Sequence, residues 1–142
     1  MEIRTPNTQS EWNAYYQLRW EVLRKPWNQP KGSEKDIAED QFYHVAAFDN
    51  NHLIGVGCFL MINEVESQIR FMGVDATAQR KGVGVSLMNA LEVEAFSRGV
   101  TKVVLHAREI AVPFYEYCGY TMIEKSYLLY DSIQHYLMSK EI

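Results

Sequence analysis

The chain has 142 residues, 47% of them hydrophobic and 23% charged, with a formal net charge of −4. This suits one globular domain spanning 1–142, with enough length to bury a core without staples. Net acidity without a basic stretch disfavours nucleic acid, no apolar run approaches membrane-spanning length, and the polar first twenty residues are no signal peptide. Cys58 and Cys118 make neither a disulfide framework nor a metal-ligand spacing, so no metal is expected and a reducing cytoplasm is the expected location.

The elements follow in chain order. Glu2–Arg4 reads as a short strand. Thr8 and Glu11 are spaced as a capping box for a helix with Trp12, Tyr15, Leu18 and Val22 on one stripe, ending before Pro26. Residues 27–32 read as a loop, and the acidic run from Glu34 to Asp40 as a short surface helix with a solvated face. A meander follows: a strand at 43–48, a turn at Asp49-Asn50-Asn51-His52, a strand at 53–62, and a third strand ending at Val74. Simple alternation puts Glu66, Gln68, Arg70, Met72 and Val74 on one side of that strand. Gly73 inside it suggests a bulge or the close approach of a ligand.

Next come a helix from Val85 to Arg98, with Val85, Leu87, Met88, Leu91, Ala95 and Phe96 as its apolar positions, and a stop at Gly99. A strand at 102–107, a short helix at 111–117 and two closing strands at 122–129 and 134–139 complete the chain. Strands first, then an αβαββ tail, predict a mixed α+β sheet with helices on its faces.

The most informative stretch is Gln79-Arg80-Lys81-Gly82-Val83-Gly84, between a strand and a helix. The first N–H groups of a helix lack partners, and its dipole favours negative charge there. Gly82 and Gly84 carry no Cβ to hold a phosphate away. The loop lacks the third Gly of a dinucleotide fingerprint and the Gly-Lys-Ser/Thr of a P-loop.

Gln79-x-x-Gly82-x-Gly84 resembles the Gln/Arg-x-x-Gly-x-Gly/Ala signature of the GNAT superfamily of acyl-CoA N-acyltransferases. About thirty residues on, Ala111-Val112-Pro113-Phe114-Tyr115 through Gly119-Tyr120 resembles its Ala-x-x-Phe-Tyr-x-x-x-Gly-Phe segment. The likeness extends over nearly the whole chain, to a bacterial subgroup whose members in some cases precede a thioesterase domain; this chain would be the acyltransferase unit alone. The resemblance implies a central sheet of about six to seven strands, splayed in the middle, with helices on both faces. It implies acetyl-CoA as acyl donor, with Gln79, Arg80, Lys81, Gly82, Val83, Gly84 and Val85 at its phosphates. Backbone groups of Met72 and Val74 would meet the pantetheine arm, and Phe114 would also touch the coenzyme. The acceptor would be a small-molecule or peptide amine, with no nucleic acid or membrane partner; a homodimer is compatible with the reading.

The chemistry sets two demands. An alkylamine of pKa near 10 is mostly protonated at neutral pH and must lose a proton. The departing thiolate needs a proton, and by resemblance Tyr115 supplies it; from ordinary pKa values the transfer is only slightly uphill. Tyr117 and Tyr120 read as structural aromatics. The base is open. Some relatives use a Glu on the third strand, where this chain has Gln68 with Glu66 one pleat further out. Glu109, His135 near the acceptor pocket, or ordered water are the alternatives; His44 and His106 read as structural. Arg108 stands where many members have Asn, and could face the phosphates, the acceptor or solvent. The rival reading is a non-catalytic acyl-CoA-binding or sensing module.

Overall fold

In the computed structural model, which describes residues 1–142, one sheet runs through the whole chain. The elements are β1 (Glu2–Arg4), α1 (Gln9–Leu23), β2 (Tyr43–Asp49), β3 (His52–Met61), β4 (Glu66–Val74), α2 (Val83–Ser97), β5 (Lys102–Arg108), α3 (Val112–Tyr117), β6 (Thr121–Leu129) and β7 (Ile133–Glu141). The sheet order is β1-β2-β3-β4-β5-β7-β6. All pairs are antiparallel except β4 with β5. This is the mixed, splayed α+β sheet expected from the sequence. No helix is long and apolar enough to cross a membrane.

Alternation along β2 places the two large helices on opposite faces. Val45 and Ala47 pack in the core built on α2, while Ala46 and Phe48 pack with Tyr15 and Leu18 of α1. The turn between β2 and β3 needs left-handed backbone at both central residues, and Asn50 and Asn51 supply it at φ 49° and 67°. Leu87, Met88, Leu91 and Ala95 of α2 are buried against the sheet, together with Val103 and Leu105 of β5. Phe96, expected on the same stripe, points outward at 67% exposure, because it follows Ala95 by about 100° around the helix.

Thr8 caps α1, its Oγ1 accepting from the Glu11 N–H at 3.1 Å. The box does not close on itself. The Glu11 carboxylate accepts from Asn7 N–H at 2.9 Å and clamps the Arg4 guanidinium at 2.9 and 2.8 Å, tying the helix start to β1.

The acidic run differs most from expectation. It forms turns and a 3-10 turn at Glu39–Gln41, not a solvated helix. The reason is Arg19, wholly buried on the sheet side of α1. Its Nη1 donates to the Glu39 carboxylate at 2.8 Å and to the Glu34 carbonyl at 3.2 Å, and its Nη2 to the Tyr15 hydroxyl at 3.2 Å. A buried cation must be paired, so the run folds inward to meet it.

β4 carries a bulge. Arg70 pairs with Cys58 and Gly73 with Val56, so Phe71 and Met72 together face Gly57. Phe71 takes up the extra residue at φ 53°. The bulge resets the alternation: Met72 packs in the α2 core with Ile69, not beside Arg70. Gly73 is not the bulge residue; a Cβ there would lie 3.3 Å from Val22 of α1, so it relieves crowding against that helix.

Glu39→Ala is expected to destabilise the fold by about 3–5 kcal/mol, because it strands a buried guanidinium. Urea unfolding should show a lower midpoint with an unchanged slope. A loss below about 1 kcal/mol would mean the pair behaves as a surface salt bridge.

Candidate active site

β4 and β5 pair at only three positions, Glu66 with Lys102, Ser67 with Val103 and Gln68 with Val104. Beyond them the strands part. The gap opens into a cavity of about 1000 Å³, walled by both strands, the C-terminal end of α1, the loop into α2, α3 and the β6–β7 hairpin. Past Gln68 the β5-facing edge of β4 has no strand partner.

At one end lies the loop into α2. None of the backbone N–H groups from Gln79 to Val85 donates to a protein acceptor; the first bond of the helix is Ser86 N–H to Gly82 C=O at 3.0 Å. Gly82, the N-cap at φ 80°, offers no side chain to fill that role, and the space where its Cβ would stand is open. Gln79, Arg80, Gly82, Val83, Gly84 and Val85 line the cavity, while Lys81 stands outside it. The Val83 side chain is in the core, which leaves its N–H as the group it offers to the cavity. Gly84 has a further reason in packing. A Cβ there would sit 2.9 Å from Cζ of Phe114, so this glycine lets α3 close against α2. Met72 and Val74 line the adjoining wall, and the Gln79 side-chain amide reaches the Val74 carbonyl at 3.4 Å.

Tyr115 lines the cavity from α3, 8% exposed, and its hydroxyl makes no hydrogen bond within the protein. Burial pushes its pKa up to about 12, against the opposing pull of the Arg108 guanidinium. It is therefore a protonated phenol, and a weaker acid than the sequence reading assumed.

His135 lies on the far wall. Its Nδ1 donates to the Ile133 carbonyl at 3.0 Å, which leaves Nε2 as a free lone pair. The ring stacks on Tyr127 with centroids 4.3 Å apart. Burial holds His135 below the usual imidazole range; the Ile133 carbonyl opposes this, and the charges of Arg108, His106 and Arg24 add to it. His106, read as structural, also faces the cavity, with Nδ1 3.0 Å from the Ser126 hydroxyl. Burial likewise lowers its pKa.

Glu66 is not there. It sits in the paired segment of β4, where its carbonyl accepts from Ile62 N–H at 2.8 Å, and the cavity begins two residues later at Gln68. The expectation of a base at Glu66 is corrected by this placement. Glu109 is exposed and outside the cavity too. Tyr120 is structural, donating to Glu92 at 2.9 Å, whereas Tyr117 lies exposed at the rim. Arg24, Trp27, Arg70, Phe71 and Tyr127 also line the cavity. No local pattern marks them, since they are gathered from α1, its following turn, β4 and β6.

Residues 12–120 match the acetyltransferase (GNAT) family. The chain belongs to this family. The uncharacterized N-acetyltransferase YjcF of Bacillus subtilis is 31% identical over 129 residues, 91% of each chain. Among solved structures, this GNAT chain superposes on an aminoglycoside 6'-N-acetyltransferase complexed with coenzyme A, with TM-score 0.84, 18% identity, and 99% and 97% of the two chains covered. It also superposes on an acyl-CoA N-acyltransferase from Pseudomonas aeruginosa, with TM-score 0.76, 23% identity, and 98% and 97% covered. At these identities the structural matches speak for the GNAT fold.

Two outcomes follow from the packing of the site. Gly84→Val should push Phe114 off α2 and cost about 1–3 kcal/mol by overpacking, read as a fall in melting temperature. Loss of ligand binding in that variant would report on Phe114 as much as on the loop. Secondly, His44, His106 and His135 are all depressed by burial. The native imidazoles therefore bind protons less readily than those of the unfolded chain, which titrate near pH 6.5. The unfolded state binds more protons as pH falls through that value, so stability should drop between pH 7 and 5. Denaturant titrations across that range check this; a flat or rising stability would exclude depressed native imidazoles.

Proposed function

We propose that the protein is an N-acetyltransferase that passes the acetyl group of acetyl-CoA to a primary amine by direct attack in a ternary complex. The observation that carries this reading is the run of unpaired N–H groups from Gln79 to Val85, opening onto the slot between β4 and β5, which Tyr115 also lines. A pyrophosphate suits the N–H run and the nearby Arg80. The unpaired edge of β4 at Met72 and Val74 suits the amide groups of a pantetheine arm, and the Phe114 ring offers it apolar contact. The family membership, and the coenzyme A bound in a protein of the same fold, support the same donor.

In this reading the amine nitrogen attacks the thioester carbon, forming the C–N bond, and the C–S bond then breaks. The amine proton leaves to Nε2 of His135 or to water, and the sulfur takes the Tyr115 proton, which the phenol regains from solvent. Tyr115, at about 12, lies some 3–4 units above an ordinary thiol, a transfer roughly 5 kcal/mol uphill for groups in water. The cavity narrows that gap, because a thiolate released into the same desolvated slot is raised in basicity as well; the pull of the Arg108 guanidinium on the phenolate is already contained in the value of about 12. No cysteine is placed to form a covalent intermediate: Cys58 is fully buried, its thiol pushed up to about 12, and neither it nor Cys118 lines the cavity.

Tyr115→Phe should retain coenzyme A affinity while lowering turnover about a hundred- to ten-thousand-fold. Steady-state kinetics with saturating acceptor, beside a calorimetric titration of coenzyme A, separates the two effects. Near-normal turnover in a folded variant would remove Tyr115 from the chemistry. A wild type that binds acetyl-CoA but acylates no amine would establish the binding-module alternative instead.

A further inference from the structure

The cavity carries an electrostatic pattern that the transfer reaction does not require. The chain as a whole is acidic, at −4. Yet no Asp or Glu lines the cavity, while Arg24, Arg70, Arg80 and Arg108 all do. Arg80 belongs to the loop end. Arg70 is paired with Asp36 at 3.1 Å and is largely neutralised. Arg24 and Arg108 are different, because neither is in a salt bridge. Arg24 is oriented by backbone carbonyls alone, Nε donating to Ser33 at 3.0 Å and Nη1 to Leu23 at 2.9 Å. The Arg108 guanidinium is half-buried over the Trp27 ring at 5.6 Å and has no protein hydrogen-bond acceptor.

Partly buried guanidinium groups without a counter-ion are costly unless a ligand completes them. Their planar forks suit a carboxylate or phosphate. The coenzyme pyrophosphate does not need them, for the unpaired N–H run from Gln79 to Val85 together with Arg80 already offers it a site. Arg24 sits where the end of α1 meets the β6–β7 turn, its guanidinium 6.0 Å from the Tyr130 ring. Both arginines line the same cavity as Tyr115 and His135, and Arg108 stands opposite His135 across the β5–β7 pair.

We infer that the acceptor is an anionic amine, one bearing a carboxylate or phosphate beside its amino group, which Arg24 and Arg108 hold. This rests on the N-acetyltransferase reading above and narrows its acceptor class. It opposes a polycationic acceptor, for which the wall offers no carboxylate.

The test compares matched acceptors with acetyl-CoA: L-leucine with L-leucinamide, and glucosamine 6-phosphate with glucosamine. In at least one pair kcat/KM should favour the anionic member by about ten- to a hundred-fold, the range of a charge-assisted hydrogen bond. Arg24→Gln should collapse that ratio and Arg24→Lys should keep most of it. Arg24 is the better probe, since Arg108 also touches the electrostatics of Tyr115. Equal rates within both pairs, or faster acylation of the cationic members, overturn the inference while leaving the transferase reading intact. A strong preference for succinyl-CoA with neutral amines, lost in Arg24→Gln, also overturns it, because the arginines would then be reading the donor. If no amine is acylated, the transferase reading fails. Calorimetry of the same pairs on coenzyme A-saturated protein then decides the anion site, and equal affinity for the anion-bearing and the cationic members overturns it.

Discussion

The bulge in β4 is the constraint on which the site depends. A slot within a sheet requires one strand to leave its neighbour on one side while staying paired on the other. β4 keeps β3 as far as Val74, yet leaves β5 after Gln68. Two residues opposite one at Phe71–Met72 bend the strand and increase its local twist. The left-handed backbone at Phe71 costs on the order of 1–3 kcal/mol. Its ring is in turn surrounded by cations, 4.4 Å from the Arg19 guanidinium and 4.8 Å from that of Arg70. Arg19 can lie there because Glu39 neutralises it at 2.8 Å. The acidic run, α1 and the bulged strand thus form one polar unit behind the slot.

The other wall depends on a single close approach. α3 stands beside the α2 N-terminus and its free N–H groups, and Gly84 is what allows the Phe114 ring to come that near. This couples two segments about thirty residues apart that look independent in the sequence. It also places Tyr115, the next residue, over the slot rather than in the solvent. The loop is thus both a ligand surface and the packing partner of the element that carries the proton donor.

Much of this was legible from the chain. Periodicity located the strands and long helices, and turn chemistry located Asn50-Asn51 and the α2 entry. The two motifs mark the loop and Tyr115 in the sequence, and both line the cavity. What escaped was set by tertiary context. Alternation along β4 assumes a regular pleat, and the bulge breaks it at Phe71, so the shared face assigned to Arg70 and Met72 was wrong. Glu66 was a reasonable base by strand position alone, but where β4 and β5 part is decided by pairing, not by residue type. The run from Glu34 to Asp40 looked solvated because its partner, Arg19, is hidden in an otherwise apolar helix stripe. His106 looked structural because the cavity it faces is completed by β6 and β7, well beyond it in sequence.

The positive wall bears on the missing base. An ammonium entering a cavity with unpaired guanidinium groups is destabilised relative to the neutral amine. One positive charge about 6 Å away, at an effective dielectric near 20, shifts such a group by about 2 pH units. A field of this kind lowers the amine's affinity for its proton before any side chain accepts it, and a neutral His135 or a water then suffices as proton acceptor. An anionic substituent on the acceptor would offset part of that field. Arg24 and Arg108 together carry two positive charges, so a single carboxylate held between them leaves the wall net positive. Anchoring and deprotonation are therefore compatible in this geometry: one charge holds the acceptor, and the remaining one keeps its nitrogen nucleophilic.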